Sequence, residues 1–267
     1  MPGEGKRSVL GVLIDAADYG SAVDYIVRAA REGRAAIVSA LAVHGVMTGV
    51  FDPEQRYRLN HFDLLVPDGQ PVRWALNLLH RTRLRDRVYG PALTLRLCER
   101  AAAEGIAVYF YGSTAEILLK LRRNLSVRFP GLQIAGMEKS RFRTLSPCEK
   151  KQIAERVRRS GASIVFVGLG CPRQEIWAYE FRDVLSAPIV SVGAAFPFLA
   201  GVVRQAPEWM QLRGLEWLFR LAVEPRRLWR RYMFTNPTYL LFVGLQAIGL
   251  FDFDTDGRKP AVEMLHG

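Results

Sequence analysis

Between Val9 and Val192 the chain alternates short, nearly unbroken apolar runs with longer amphipathic segments, and this alternation restricts the fold more than any other feature. The runs are VLGVLI (9–14), AAIVSALAV (35–43), DLLVP (63–67), IAVYFYG (106–112), LQIAG (132–136), SIVFVGLG (163–170) and APIVSVG (187–193). Short apolar runs bounded by Gly, Pro or Asp read as strands buried on both faces. Segment 91–104 keeps Leu93, Leu97 and Ala101 on one helical face, and 115–129 does the same with Ile117, Leu118, Leu121 and Leu125. Segment 147–160 follows Ser146, with Glu149 three residues on, the spacing of a capping box. This pattern predicts an α/β fold with a mostly parallel, doubly wound sheet, whose ligands sit beyond the carboxyl ends of the strands. With 267 residues, 49% of them apolar, the chain can bury such a core.

The search for chemistry therefore starts in the loops after the runs: PDGQP (67–71), GST (112–114), GLGCPRQE (168–175) and GAAF (193–196). GLGCPRQE begins like a dinucleotide fingerprint, but Arg173 stands where the third glycine belongs. Its plain reading is a tight turn into a helix. Its functional reading is an anion seat, because Gly168 and Gly170 let backbone amides approach a phosphate and a helix starting near Pro172 points its positive end there. Arg173 and Gln174 can add donors to a diphosphate or a sugar. The acidic ribose-binding residue expected about 20 residues later is missing, which argues against NAD. Asp68 reads either as an ordinary Asp-Gly turn or as a general base, since a carboxylate at a strand's carboxyl end can take a proton from an attacking hydroxyl. Arg87 reads as a surface arginine or a phosphate clamp, and His44 as a helix-start residue unless the site surrounds it.

Metal and disulfide chemistry find little support. Cys98, Cys148 and Cys171 lie far apart, and His44, His61, His80 and His266 show no metal-ligand spacing. The DFD of Asp252–Asp254 resembles a metal–diphosphate motif but falls in what reads as a loose acidic tail. The N-terminus lacks the long apolar stretch of a secretory signal, so the chain is expected in the cytoplasm. The formal charge of +11 calls for a polyanionic partner: nucleic acid, anionic lipid or a diphosphate substrate.

From Ala206 no β run remains. Arg204, Arg213, Arg220, Arg226, Arg227, Arg230 and Arg231 interleave with Trp209, Trp217, Phe219, Trp229 and Tyr232, and the apolar YLLFVGLQAIGLF (239–251) follows. That stretch is shorter than the roughly 20 residues of a spanning helix. Solvated surface helices, a nucleic-acid face and a membrane face all suit the arginines. Only the membrane face uses the aromatic residues and the apolar stretch together.

Taken in order, VSALAVHG (38–45), LLVPDGQPV (64–72), DRVYG (86–90), FYGS (110–113), FPGLQIAG (129–136), VGLGCPRQE (167–175), SVGAAF (191–196) and APEWMQLRGLEWLFRLAVEPRRLWRR (206–231) resemble the WecG/TagA/CpsF family of bacterial glycosyltransferases. The resemblance implies a Rossmann-like domain over 1–203, an arginine- and aromatic-rich helical appendage over 204–251 that meets the membrane, and an acidic flexible tail over 252–267. It implies inverting transfer from a UDP-sugar to a polyprenyl-diphosphate-linked acceptor in exopolysaccharide or other surface-glycan synthesis, at the inner face of the plasma membrane. No cofactor, metal or nucleic acid is expected, and the family's association through its core implies a homo-oligomer. Asp68 falls on the family's base. Ser39, Arg87, Gly168, Gly170, Arg173, Gln174, Glu175, Arg213, Arg220 and Arg227 fall on its substrate-binding positions. Leu41 and Pro197 depart from the Asn and Asp common there, so the donor sugar is not carried over. A non-catalytic polysaccharide-assembly protein and a nucleic-acid-binding protein are the rival readings.

Overall fold

The computed structural model describes residues 5–267, apart from the side chains of Arg227, Arg230 and Arg231. The first apolar run is not a strand of the main sheet. It divides into β1 (Lys6–Val9) and β2 (Val12–Asp15), a separate antiparallel hairpin. Leu10 and Gly11 take positive φ of 54° and 80°, as the two central residues of a type I′ turn do. The run is apolar throughout because both arms pack on the core.

The other six runs form one parallel sheet: β3 (Ala36–Leu41), β4 (Leu64–Pro67), β5 (Val108–Gly112), β6 (Ile134–Glu138), β7 (Ile164–Gly168) and β8 (Pro188–Ser191). Their spatial order is β4-β3-β8-β7-β5-β6, so every strand points its carboxyl end to the same edge. The helices of the α/β body are α1 (Tyr19–Arg31), α2 (Val43–Phe51), α3 (Pro53–Asn60), α4 (Gln70–His80), α5 (Gly90–Glu104), α6 (Ala115–Arg128), α7 (Pro147–Arg159), α8 (Arg173–Phe181) and α9 (Ala195–Leu199). The capping box of Ser146 and Glu149 forms at the start of α7. This is a Rossmann-like α/β fold.

Strand periodicity divides the core in two. Val38, Ala40, Phe110, Phe166 and Val190 pack under α1, α5, α6 and α9. Ile37, Tyr109, Tyr111, Val165, Val167 and Ile189 pack under α2, α3, α4, α7 and α8. Ser39 and Ser191 share the parity of the second set and are fully buried against α8.

The C-terminal helices are α10 (Glu208–Leu212), α11 (Glu216–Val223), α12 (Pro225–Arg230) and, beyond a π-turn at Arg231–Thr235, α13 (Asn236–Ala247). α13 is bound to the body: Tyr239 and Val243 are buried in the second core, while Leu240 and Leu241 face outward. Among the described residues no helix is long and apolar enough to cross a membrane. Segment 252–267 does not hang loose, as its composition suggests. The Arg56 guanidinium donates to the Asp256 carbonyl, Asn60 Nδ2 donates to the Thr255 carbonyl, and Gly267 exchanges backbone bonds with Phe142 and Arg143. The acidic segment follows basic and amide side chains on α3 and ends beside α7. The DFD thus lies along α3 and the hairpin, where Arg56 approaches Asp254.

Candidate active site

The carboxyl edge of the sheet carries two cavities that share Asp68, Ala42, Ala194 and Arg220 in their walls. The larger, about 710 Å³, runs along the ends of β3, β5, β7 and β8 and is lined by Leu41, Ser113, Gly168, Gly170, Arg173 and Pro197. That volume is typical of sites for ligands of nucleotide size. The smaller, about 130 Å³, lies beneath the C-terminal helices, between Gln70, Arg87 and Tyr89 of the body and Glu216, Trp217 and Tyr232 of the appendage.

Asp68 occupies the junction because β4 ends at Pro67 and α4 begins at Gln70. Its backbone N–H donates to the Leu41 carbonyl at 3.1 Å, pinning the loop to the neighbouring strand. Its Oδ1 accepts from the backbone N–H of Gly90, the first residue of α5, at 3.2 Å. The positive end of α5 thus faces the carboxylate. Burial dominates all the same and pushes the Asp68 carboxyl up to about 6; Arg87 opposes the shift and Glu216 adds to it. A carboxylate with that proton affinity is suited to general-base work near neutrality.

Arg87 reaches the site because Val88 N–H donates to the Pro67 carbonyl at 2.8 Å and Tyr89 N–H to the Tyr19 hydroxyl at 3.0 Å, which lays this segment along the end of β4. Its guanidinium stacks 4.3 Å from the Tyr89 ring centre. Arg87 Nη2 donates to Glu216 Oε2 at 2.6 Å and to Gln211 Oε1 at 3.1 Å, both on the appendage. Arg220, one turn beyond Glu216 on α11, joins the two cavities with a buried Nε that has no hydrogen-bond partner.

The glycine-rich loop is held from below. Gln174 Oε1 accepts from Gly170 N–H at 3.2 Å and from Gly193 N–H at 3.0 Å, tying the loop after β7 to the loop after β8. Its Nε2 donates to Glu175 Oε1, which also accepts from the Ser39 hydroxyl at 2.9 Å. Ser39, Gln174 and Glu175 are therefore a buried network that positions the cleft floor, and burial raises the Glu175 carboxyl. Gln174 also lines the larger cavity, and both ends of its amide bond the protein. Gly168 also has a packing reason: a Cβ there would strike the Phe196 ring at 2.6 Å. The Gly170 amide, offered by the sequence as a phosphate donor, is taken by Gln174.

Arg173 is exposed and lines the larger cavity. Arg213 stands away from both cavities, exposed, its guanidinium 6.0 Å from the Trp209 ring centre. The side chain of Arg227 lies outside the described residues. His44 lines the smaller cavity. Among the described residues no group of three or more His, Cys, Asp and Glu is placed to hold a metal. Sequence reading missed Gln70, Tyr89 and Glu216. Of these, Glu216 carried a usable signal, since it stands four residues before Arg220 and so on the same face of a helix.

A Rossmann-like sheet with a half-buried carboxylate, flanking arginines and a two-chambered cleft at its carboxyl edge is the framework of a group-transfer enzyme. The chain belongs to the WecG/TagA/CpsF family of glycosyl transferases, whose family model matches residues 7–251. It is 30% identical over 193 residues, 72% of each chain, to an N-acetylglucosaminyldiphosphoundecaprenol N-acetyl-beta-D-mannosaminyltransferase of Bacillus spizizenii. It is 26% identical over 209 residues, 78% of each chain, to the enzyme of that name from Bacillus subtilis.

Proposed function

We propose that the protein is an inverting glycosyltransferase that moves a sugar from a UDP-sugar to a sugar carried on polyprenyl diphosphate, at the inner face of the plasma membrane, in exopolysaccharide or related surface-glycan synthesis. The observation that carries this reading is Asp68, a carboxylate of raised proton affinity at the junction of two cavities. The larger cavity takes the donor along the β7 and β8 loops. The smaller takes the acceptor sugar beneath the appendage, and the names of both relatives support a lipid-diphosphate acceptor.

In this reaction Asp68 removes the proton from the acceptor hydroxyl as its oxygen attacks the anomeric carbon. The bond from that carbon to the UDP oxygen breaks on the opposite face, which inverts the configuration. Arg220 and Arg173, both lining the donor cavity, meet the charge that develops on the departing diphosphate. The appendage keeps water from the donor while the site is closed. Leu41 and Pro197 line the donor cavity, so the donor is identified by assay rather than by likeness.

The test is UDP release by the full-length protein, using a panel of UDP-sugars and a polyprenyl-diphosphate-sugar acceptor in detergent, with and without EDTA. Acceptor-dependent release that survives EDTA supports the reading. Vesicle binding without turnover of any donor supports a non-catalytic assembly protein instead. Steeply salt-dependent binding of RNA or DNA without turnover supports the nucleic-acid reading.

A further inference from the structure

We infer that Glu216, on α11, is a positioning residue that holds the Arg87 guanidinium in place beside Asp68. The inference rests on the glycosyl-transfer reading above. Arg87 has two hydrogen-bond partners, Glu216 and Gln211, and both come from the appendage. Gln211 is itself fixed, its Nε2 donating to the Ala206 carbonyl at 2.8 Å. Among the described residues the body gives Arg87 no hydrogen-bond partner; it supplies the face of the Tyr89 ring and the charge of Asp68. The Arg87–Glu216 pair is largely shielded, with side chains 11% and 13% exposed, so breaking it leaves a guanidinium poorly compensated and free to swing.

The geometry also separates a holder from a plug. A carboxylate sitting in the seat of a substrate phosphate would occupy the whole donor fork of the arginine. Glu216 and Gln211 both take Nη2, while Nε and Nη1 donate to no described residue and remain for a ligand. Because Glu216 and Arg220 are one turn apart on α11, docking brings an anion to Arg87 and a cation to the cavity junction in one movement. The charged and titratable groups around Asp68 and Tyr89 are Arg87 and, across the smaller cavity, His44 from the body, and Glu216 and Arg220 from the appendage, with Tyr19 and Arg96 beside them.

The experiment compares Glu216→Ala and Glu216→Gln with the wild type in kcat, in KM for each substrate, in pH profile and in tryptic cleavage at Arg213 and Arg220. Glu216→Ala is expected to lower kcat by roughly ten- to a hundredfold through misplacement of the Arg87 charge beside the base. Glu216→Gln keeps an acceptor oxygen and should recover most of the loss. Glu216→Gln removes the charge but keeps Arg87 in place, so its acidic limb should move downward, because the Glu216 charge is one of the groups raising Asp68. Glu216→Ala also frees Arg87, whose opposing effect on Asp68 is the larger, so its limb should lie above that of Glu216→Gln; a Glu216 that holds nothing would give both variants the same limb. Glu216→Ala should also be cleaved faster in the appendage. An unchanged kcat with the same limb in both variants overturns the proposal. So does a raised kcat/KM in Glu216→Ala, the mark of a plug. If the wild type transfers nothing, the glycosyl-transfer reading fails, while unchanged cleavage would by itself show that Glu216 holds nothing.

Discussion

Asp68 Oδ1 accepts a hydrogen bond from Gly90 N–H at 3.2 Å, which couples the end of β4 to the first turn of α5. A Cβ on Gly90 would lie 2.8 Å from the Val192 carbonyl oxygen, so only glycine brings this amide so close to the sheet. The bond favours the ionised carboxylate, yet burial outweighs it and leaves the carboxyl at about 6.

A base must be ionised to work, so kcat/KM should climb as pH rises through about 6 and level off above it. A carboxylate at its ordinary value of 3.8 would give a plateau already at pH 5. A rate profile of the wild type between pH 4.5 and 8 decides between them, and a flat line from pH 5 upward removes Asp68 from the role of base.

Replacing Asp68 by Asn should lower kcat by about 10²–10⁴ and, at the same time, stabilise the fold. The sign follows from the raised value. Between 3.8 and about 6 the native state binds a proton that the unfolded chain has released, so above about 6 the ionised carboxylate weakens the fold. That penalty is on the order of 3 kcal/mol at neutral pH and disappears as pH falls through 3.8. Thermal melts of both proteins at pH 8 and pH 4 check it: the variant should melt higher at pH 8, and the gap should shrink at pH 4.

Gln174→Ala should damage donor binding more than acceptor binding. The substitution leaves the Gly170 and Gly193 amides without their acceptor and releases two loops of the donor cavity from each other. Losing such partners costs about 1–3 kcal/mol. KM for the donor should rise at least several-fold while KM for the acceptor stays within about twofold; equal rises would place Gln174 outside the donor side.

The sheet was legible because strands buried on both faces are apolar at nearly every position, and six of the seven runs became its strands. The hairpin was not, because VLGVLI reads equally as one strand or two short arms, and only the positive φ of Leu10 and Gly11 decides. The place of Asp68 followed from the strand-end rule. The tasks of Gln174 and Ser39 did not, because apolar periodicity says which face a side chain enters but not whether a buried neighbour will claim its polar atoms. The pairing of Glu216 with Arg87 was hidden for another reason: the two stand 129 residues apart, and local pattern relates Glu216 only to Arg220. Segment 252–267 looked loose by composition, and it is held by backbone bonds that composition does not record.

The outer face of the appendage should bind anionic membranes through two separable forces. Met233 and Phe234, in the turn between α12 and α13, are 60% and 66% exposed, and Trp209, Leu212, Leu218 and Trp229 are exposed as well. Exposed apolar groups beside arginines suit an interface at which apolar side chains enter the acyl boundary and cations meet headgroups. Each arginine near an anionic surface contributes about 1 kcal/mol, and salt screens that part. Burying an apolar side chain of this size contributes about 1.5–3 kcal/mol, and salt does not screen it. Met233→Ser/Phe234→Ser should therefore weaken partitioning onto vesicles of phosphatidylglycerol and phosphatidylcholine by about a hundredfold at any salt concentration. Raising salt from 0.1 to 0.5 M should weaken the wild type and the double variant by the same factor. Co-sedimentation at both salt concentrations reads the two forces separately, and wild-type binding that ignores both lipid charge and salt would remove the arginines from the membrane face.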